Sequence, residues 1–138
     1  MVYRPESVTK RVEKLKEYGA DLRALGTVTL ERYLAEKPLR YQVERILYLI
    51  SETTLDVVDH VLTTRHDVLS ETYEDLLVSA ASHGIISGEL SGELRGLGGF
   101  RNVLAHDYIG LSNEEVYRHL VKMTGLLDRL IEELAGLA

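Results

Sequence analysis

Three observations in the sequence predict an all-α fold, an antiparallel helical bundle. Apolar residues recur at i, i+3, i+4 and i+7 along its longest patterned segments. No run alternates apolar and polar residues over the length of a strand, which argues against a parallel sheet with a dinucleotide-binding turn. Residues that start or stop helices punctuate the pattern: Pro38 and Ser112 precede apolar-periodic runs, and Gly26 and Gly84 follow them. Neither a repeat nor a linker divides the chain, so residues 1–138 are expected to fold as a single domain.

The first helix is expected from about Ser7 to Leu25, ended by Gly26, and a short second one from about Leu30 to Glu36. The central helix is expected over Leu39 to Leu62. Its apolar face carries Val43, Ile46, Leu47, Ile50, Val57, Val58 and Val61, and Pro38 suits its first turn, where a missing N–H costs nothing. A helix from about Glu71 to Ser82 stops near Gly84, and another runs from Ser87 to about Ala105. The last covers Asn113 to Leu134, with Val116, Leu120, Met123, Leu126, Leu127 and Leu130 on one face. Ser112 is placed to cap it, and Glu115 to reach back and complete a capping box.

"GLGGF", Gly96 to Phe100, interrupts an otherwise regular pattern. It lacks the G-x-G-x-x-G spacing and follows helical rather than strand periodicity, so a phosphate loop is a poor reading. Each glycine inside a helix costs roughly 1 kcal/mol relative to alanine. A close approach of another helix, within the bundle or across a dimer interface, would offset that cost.

Composition narrows the function. The chain is 45% hydrophobic and 28% charged with 2 prolines, which is the balance of a folded protein rather than a disordered one. Its longest apolar run, Ile46 to Ile50, falls far short of the roughly 20 residues of a membrane span. No charged-then-apolar leader opens the chain, and there are 0 cysteines, so neither a disulfide scaffold nor a cysteine-zinc site is available. A cytoplasmic protein with no membrane association is expected. The net charge of −6 argues against indiscriminate coating of nucleic acid without excluding a local basic site. Arg4, Lys10, Arg11, Lys14 and Lys16 cluster near the start, and read as a solvated helix face laced with i,i+4 pairs.

The segment "FRNVLAHDY" concentrates chemistry in the spacing R-x4-H-x-Y, with Arg101, His106 and Tyr108. On a continuous helix Arg101 and Tyr108 would share a face and His106 would lie off it, whereas a helix ending near His106 would let the chain turn and gather all three. The residue types suit cleavage of a phosphodiester without a metal. Histidine exchanges protons near neutrality, arginine grips phosphate with a bidentate fork, and tyrosine bonds phosphate or stacks on a base. One histidine does not easily act as acid and base in a single step, and a two-fold partner would supply a second. The spacing alone leaves a plainer alternative: a histidine and tyrosine at a helix end, with Arg101 paired to a carboxylate.

"RNVLAHDY" closely resembles the R-x4-H-x-Y motif of the HEPN superfamily, specifically the HepT toxins of toxin–antitoxin pairs. "VERILYLISETTLDVVDHVL", Val43 to Leu62, resembles that family's central helix, and "SHGIISGEL" with "LGGFRNVLAHDY" its approach to the site. The resemblance runs from about Arg11 to the C-terminus. It implies a HEPN-like four-helix core with extra short helices, assembled as a homodimer, and a metal-independent endoribonuclease whose paired motifs meet in a cleft between subunits. Arg101 would then orient and stabilise the phosphate, and His106 would be the general acid/base. Tyr108 would line the site and be the residue to which a partner nucleotidyltransferase antitoxin, MntA-like, adds AMP. RNA is the implied substrate and no cofactor is implied. Ala105 stands where a larger apolar residue is common in the family, and Asp107 where glutamate is frequent.

Glu52, Asp56 and His60, spaced by four, form a polar line on the central helix. Glu52 or Asp56 is a candidate to orient His106 or hold Arg101, against the plainer reading of a salt-bridged face. Asp56 with His60 lacks a third ligand at helical spacing, so no metal site is expected. Asn102 is a candidate phosphate contact or helix-end cap. Tyr41, Tyr48 and Tyr117 are expected in bundle or dimer packing rather than as stacking platforms, and His66, His83 and His119 as isolated loop or surface residues without a role. Two other functional classes remain open: a non-catalytic helical module that binds nucleotide or partner beside a nucleotidyltransferase, and a purely structural bundle whose motif supports packing.

Overall fold

The computed structural model describes residues 2–138, with Tyr108 described by its backbone alone. Among the described residues seven α-helices follow one another: α1 (Pro5–Ala24), α2 (Leu30–Ala35), α3 (Lys37–His66), α4 (Tyr73–Ser82), α5 (Gly88–Glu93), α6 (Leu97–His106) and α7 (Asn113–Ala135). A 3-10 turn, Tyr108–Gly110, joins the last two. No strand occurs among the described residues, as the absence of alternating patterns predicts.

Helix α3 is the axis of the bundle, packed against α1, α2, α4, α6 and α7. Its 30 residues span about 45 Å at 1.5 Å per residue. Pro38 sits in its first turn, and the helix runs to His66, four residues beyond the expected end, where the chain leaves it at Asp67 in a left-handed conformation (φ 53°). Val43, Leu47, Ile50, Val57, Val58, Val61 and Leu62 are fully buried among Val8, Leu15 and Leu22 of α1 and Val116, Leu127, Leu130 and Leu134 of α7. Each such side chain contributes roughly 1.5–3 kcal/mol by leaving water.

Capping follows the sequence. Thr29, Thr72, Ser87 and Ser112 each accept the backbone N–H three residues on, fixing the starts of α2, α4, α5 and α7. The expected reciprocal half of the last cap is replaced, because the Glu115 carboxylate turns to Arg118 at 3.7 Å. Of the basic residues near the start, Lys14 pairs with Glu17 and Lys16 with Glu13, at i,i+3 rather than i,i+4, while half-buried Arg11 donates to Ser7.

The helix expected from Ser87 to about Ala105 is two helices. Gly96, at φ 85°, breaks it at little cost because glycine has no Cβ to clash in that conformation. The Gly96 N–H donates to Glu74 Oε1 at 2.9 Å, which ties the break to α4. The bend leaves α5 against α4 and carries α6 across to α3, a path one straight helix would not follow. Gly98 makes that crossing possible: a Cβ built there would lie 2.1 Å from Tyr73 Cβ. The close approach expected of "GLGGF" is therefore within the bundle, between the first turns of α4 and α6.

Candidate active site

Tyr41, Arg45, Tyr48 and Glu52 recur at intervals of four, three and four, so they form one stripe along α3. Arg101, in the second turn of α6, reaches Glu52, while His106, in its last turn, shares a groove with Tyr41, Arg45 and Tyr48. Helix α6 thus runs antiparallel to α3 along this stripe.

Arg101 is the anchored member. Its Nε donates to Glu52 Oε2 at 2.5 Å and its Nη1 to Asn102 Oδ1 at 3.0 Å. The guanidinium carbon lies 5.7 Å from the Tyr48 ring centre and 5.8 Å from that of Tyr73. Both partners of the ion pair are partly withdrawn from water, with side chains 16% and 30% exposed. The hydrogen bond to Glu52 holds the guanidinium above its ordinary pKa, with partial desolvation opposing it. The outcome is a cation fixed in orientation, with the Nη2 donors left for an anion.

His106 closes α6 and is exposed. It lines an open groove of about 450 Å3 with Tyr41, Glu44, Arg45, Tyr48, Leu104 and Ala105. Burial raises the Glu44 carboxyl above the usual carboxylate range, and the nearby Arg40 opposes this. Tyr48 connects the anchored arginine to the groove: Arg45 lies 5.6 Å from its ring and Arg101 5.7 Å. The groove is thus of mixed charge, with Arg45 and Glu44 in its lining and the Arg101–Glu52 pair behind Tyr48.

The helix ends at His106, and Asp107 (φ −127°, ψ 54°) leads into the 3-10 turn, its Oδ1 accepting from Gly110 N–H at 3.2 Å. Arg101 and Tyr108 therefore do not share one helical face. The Tyr108 side chain lies outside the described residues.

The polar line of α3 divides into three environments. Glu52 holds Arg101. Asp56, one turn on, is exposed, its carboxyl raised by partial desolvation and by the Glu52 charge, with Arg11 and Arg101 opposing. His60 accepts the Arg4 N–H at 3.3 Å and lies 5.7 Å from the Tyr3 ring, at the other end of the bundle.

Sequence reasoning passed over several neighbours. Tyr117 packs in the bundle as expected, its hydroxyl donating to the Val28 carbonyl at 2.7 Å; Tyr41, 59% exposed on the rim of the groove, takes no part in the packing within the bundle. The stripe spacing from Tyr41 to Glu52 was the available signal. His119 is half-buried and stacked on Phe100 at 3.6 Å, its pKa lowered by burial and by the charge of Lys122. His66 and His83 face each other at 5.0 Å rather than standing alone.

Comparison with known proteins covers nearly the whole chain. A family model described as ribonuclease HepT-like matches residues 10–134, which include the R-x4-H-x-Y segment. The tRNA nuclease HepT of Aphanizomenon flos-aquae is 26% identical over 113 residues, spanning 82% of this chain and 77% of the relative. Among solved structures, YutE of Bacillus subtilis, a cytosolic protein of unknown function, superimposes with a TM-score of 0.81 at 17% identity, covering 99% of this chain and 92% of that one. A tri-AMPylated Shewanella oneidensis HEPN toxin in complex with its MNT antitoxin gives 0.80 at 17% identity, over 94% and 97%. At such identities the two structures are likenesses of fold.

Proposed function

The chain belongs to the ribonuclease HepT-like family, and from that membership we propose that it is the toxin of a toxin–antitoxin pair, a metal-independent endoribonuclease that works as a homodimer. One observation carries the reading. Arg101, at the position of the motif's arginine, is held on Glu52 beside an open groove that carries His106, at the position of its histidine.

The chemistry follows from what each side chain can do. His106 takes the proton of a ribose 2′-hydroxyl as the oxygen attacks the adjacent phosphorus. Arg101, already oriented by Glu52 and Asn102, stabilises the charge that builds on the non-bridging oxygens. The leaving 5′-oxygen needs a proton, which His106 of the partner subunit supplies across the two-fold axis. Cleavage leaves a 2′,3′-cyclic phosphate and a 5′-hydroxyl. Asn102 and Asp56 flank the arginine, where they tune its position and the local charge.

Control falls to Tyr108. An MntA-like nucleotidyltransferase would join its hydroxyl to the α-phosphate of ATP and release pyrophosphate, adding negative charge and bulk two residues along the chain from His106. RNA phosphate is then repelled from the groove. No helix among the described residues is long and apolar enough to cross a membrane; an RNA substrate and an ATP-using partner would put the protein at work in the cytoplasm.

The test is direct. Purified protein should degrade single-stranded RNA in EDTA, and His106→Ala should abolish cleavage while leaving the melting temperature within about 1–2 °C, since an exposed residue away from the core contributes little to stability. Cleavage that survives the substitution, or that requires added Mg²⁺, defeats the mechanism. Co-purification with a nucleotidyltransferase without any cleavage would favour the non-catalytic binding module instead.

A further inference from the structure

The groove that carries His106 does not end at α3. A second depression, about 560 Å3 and lined by Asp21, Ala24, Leu25, Gln42 and Ile46, lies on the other side of the Tyr41–Arg45 pair, which borders both. Tyr41 and Arg45, one turn apart on α3, therefore form a ridge between the reactive groove and a more apolar one. Resting on the ribonuclease reading, we propose that this ridge and second depression are a nucleotide subsite, which holds the residue next to the scissile phosphate and so sets how much RNA the enzyme grips.

The side chains present match that ligand. Tyr41 is 59% exposed, an uncommon position for a tyrosine that has no core to fill, and its ring offers a flat face to a base. Lys37 lies 5.8 Å from the same ring, so cationic charge flanks the stacking surface where a phosphate would follow the base. Arg45 is exposed yet not loose, because it packs on Tyr48 at 5.6 Å. The Arg101 guanidinium carbon lies 5.7 Å from the centre of the same ring, so both arginines gather around Tyr48, an arrangement suited to successive phosphates. The apolar wall of Leu25 and Ile46 fits a base or sugar face. Asp21 and Glu44 at the margins are the groups that would repel phosphate, which confines the backbone to the Arg45 side.

A base stacked on Tyr41 needs its aromatic ring but not its hydroxyl, and this makes the subsite testable. The probe is a fluorescein-labelled, 2′-O-methyl oligouridylate of 12 nucleotides, which cannot be cleaved, read by anisotropy, alongside cleavage of the matching RNA. Tyr41→Ala should weaken binding roughly 5- to 150-fold, the range for loss of one base–aromatic stack, and raise KM far more than it lowers kcat. Tyr41→Phe should restore both. Arg45→Gln should reduce the slope of log affinity against log salt by about 0.7, the loss of one single-strand phosphate contact. Unchanged binding and KM in Tyr41→Ala and Arg45→Gln, with wild type cleaving normally, overturn the subsite and leave the ribonuclease reading intact. A change of oligomeric state in Tyr41→Ala, measured by light scattering, also overturns it, because the ridge would then be a protein interface. A wild-type protein that neither binds the probe nor cuts RNA defeats the underlying reading together with the subsite.

Discussion

Two adjacent glycines should respond to alanine in opposite directions. At Gly98 the added Cβ would stand 2.1 Å from Tyr73 Cβ and 2.8 Å from its Cγ. Both Cβ atoms are fixed by their backbones, so no rotamer change relieves the overlap. The first turns of α4 and α6 must separate by about 1.5 Å to restore ordinary carbon contact. Overpacking costs about 1–3 kcal/mol, and an overlap between two backbone-fixed carbons falls in the upper part of that range, about 2–3 kcal/mol, of which the roughly 1 kcal/mol gained in helix propensity offsets part. A net loss of about 1–2 kcal/mol remains. With an unfolding entropy near 2.1 cal/mol/K per residue over 138 residues, that is about 3–7 °C in Tm. At Gly99 nothing lies within 4 Å of a built Cβ and the backbone is already helical, so alanine should stabilise by about 0.4–1 kcal/mol, or about 1–3 °C. Differential scanning calorimetry at one protein concentration measures both, a precaution that matters if the chain dimerises. Arg101 follows Gly98 by one turn, so the displaced helix should also draw it from Glu52 and lower RNA cleavage in the Gly98 variant alone. A Gly98→Ala protein as stable as wild type, or a shift of both variants in the same direction, would refute the reasoning.

Glu52→Gln removes the charge that orients Arg101 in a pair whose side chains are only 16% and 30% exposed. The expected loss is about 1–2 kcal/mol in urea unfolding, between the values for exposed and buried pairs, with kcat down on the order of 10-fold and no rise in KM; an unaltered kcat would reduce Glu52 to a structural role. His119 has its pKa lowered by burial against Phe100. A histidine that binds its proton less well folded than unfolded favours unfolding in acid, so stability should be full above its unfolded pKa of about 6.5 and fall as pH drops below it. His119→Gln should flatten that part of the stability–pH curve, and an unchanged slope between pH 7 and pH 5 would count against the assignment. Tyr108→Phe should cleave RNA yet gain no AMP mass when co-expressed with the nucleotidyltransferase, as read by intact-protein mass spectrometry; AMP still added to the variant would move the modification elsewhere.

Much of the fold was legible because helical periodicity is local. Val43, Leu47, Ile50, Val57 and Val61 name the buried face of α3 without reference to any other helix, and Ser112 caps α7 through its own chain neighbour. The R-x4-H-x-Y segment was equally legible as residue types at a spacing. The break at Gly96 was not, since a glycine in a helical pattern is compatible with a continuous helix until α4 and α3 compete for the two halves.

The sequence by itself determined an all-helical chain, the Ser112 cap, its main apolar faces and the chemical identity of Arg101, His106 and Tyr108. Tertiary structure alone decided that Glu52 is the partner of Arg101, that Gly98 must be small because Tyr73 stands against it, and that His119 is sheltered by Phe100. It also decided that Tyr41 faces solvent at the rim of a groove rather than a packed interior. The physical reason is one of range. A periodic pattern encodes which side of a helix leaves water, but what that side meets depends on crossings between residues as distant in sequence as Glu52 and Arg101.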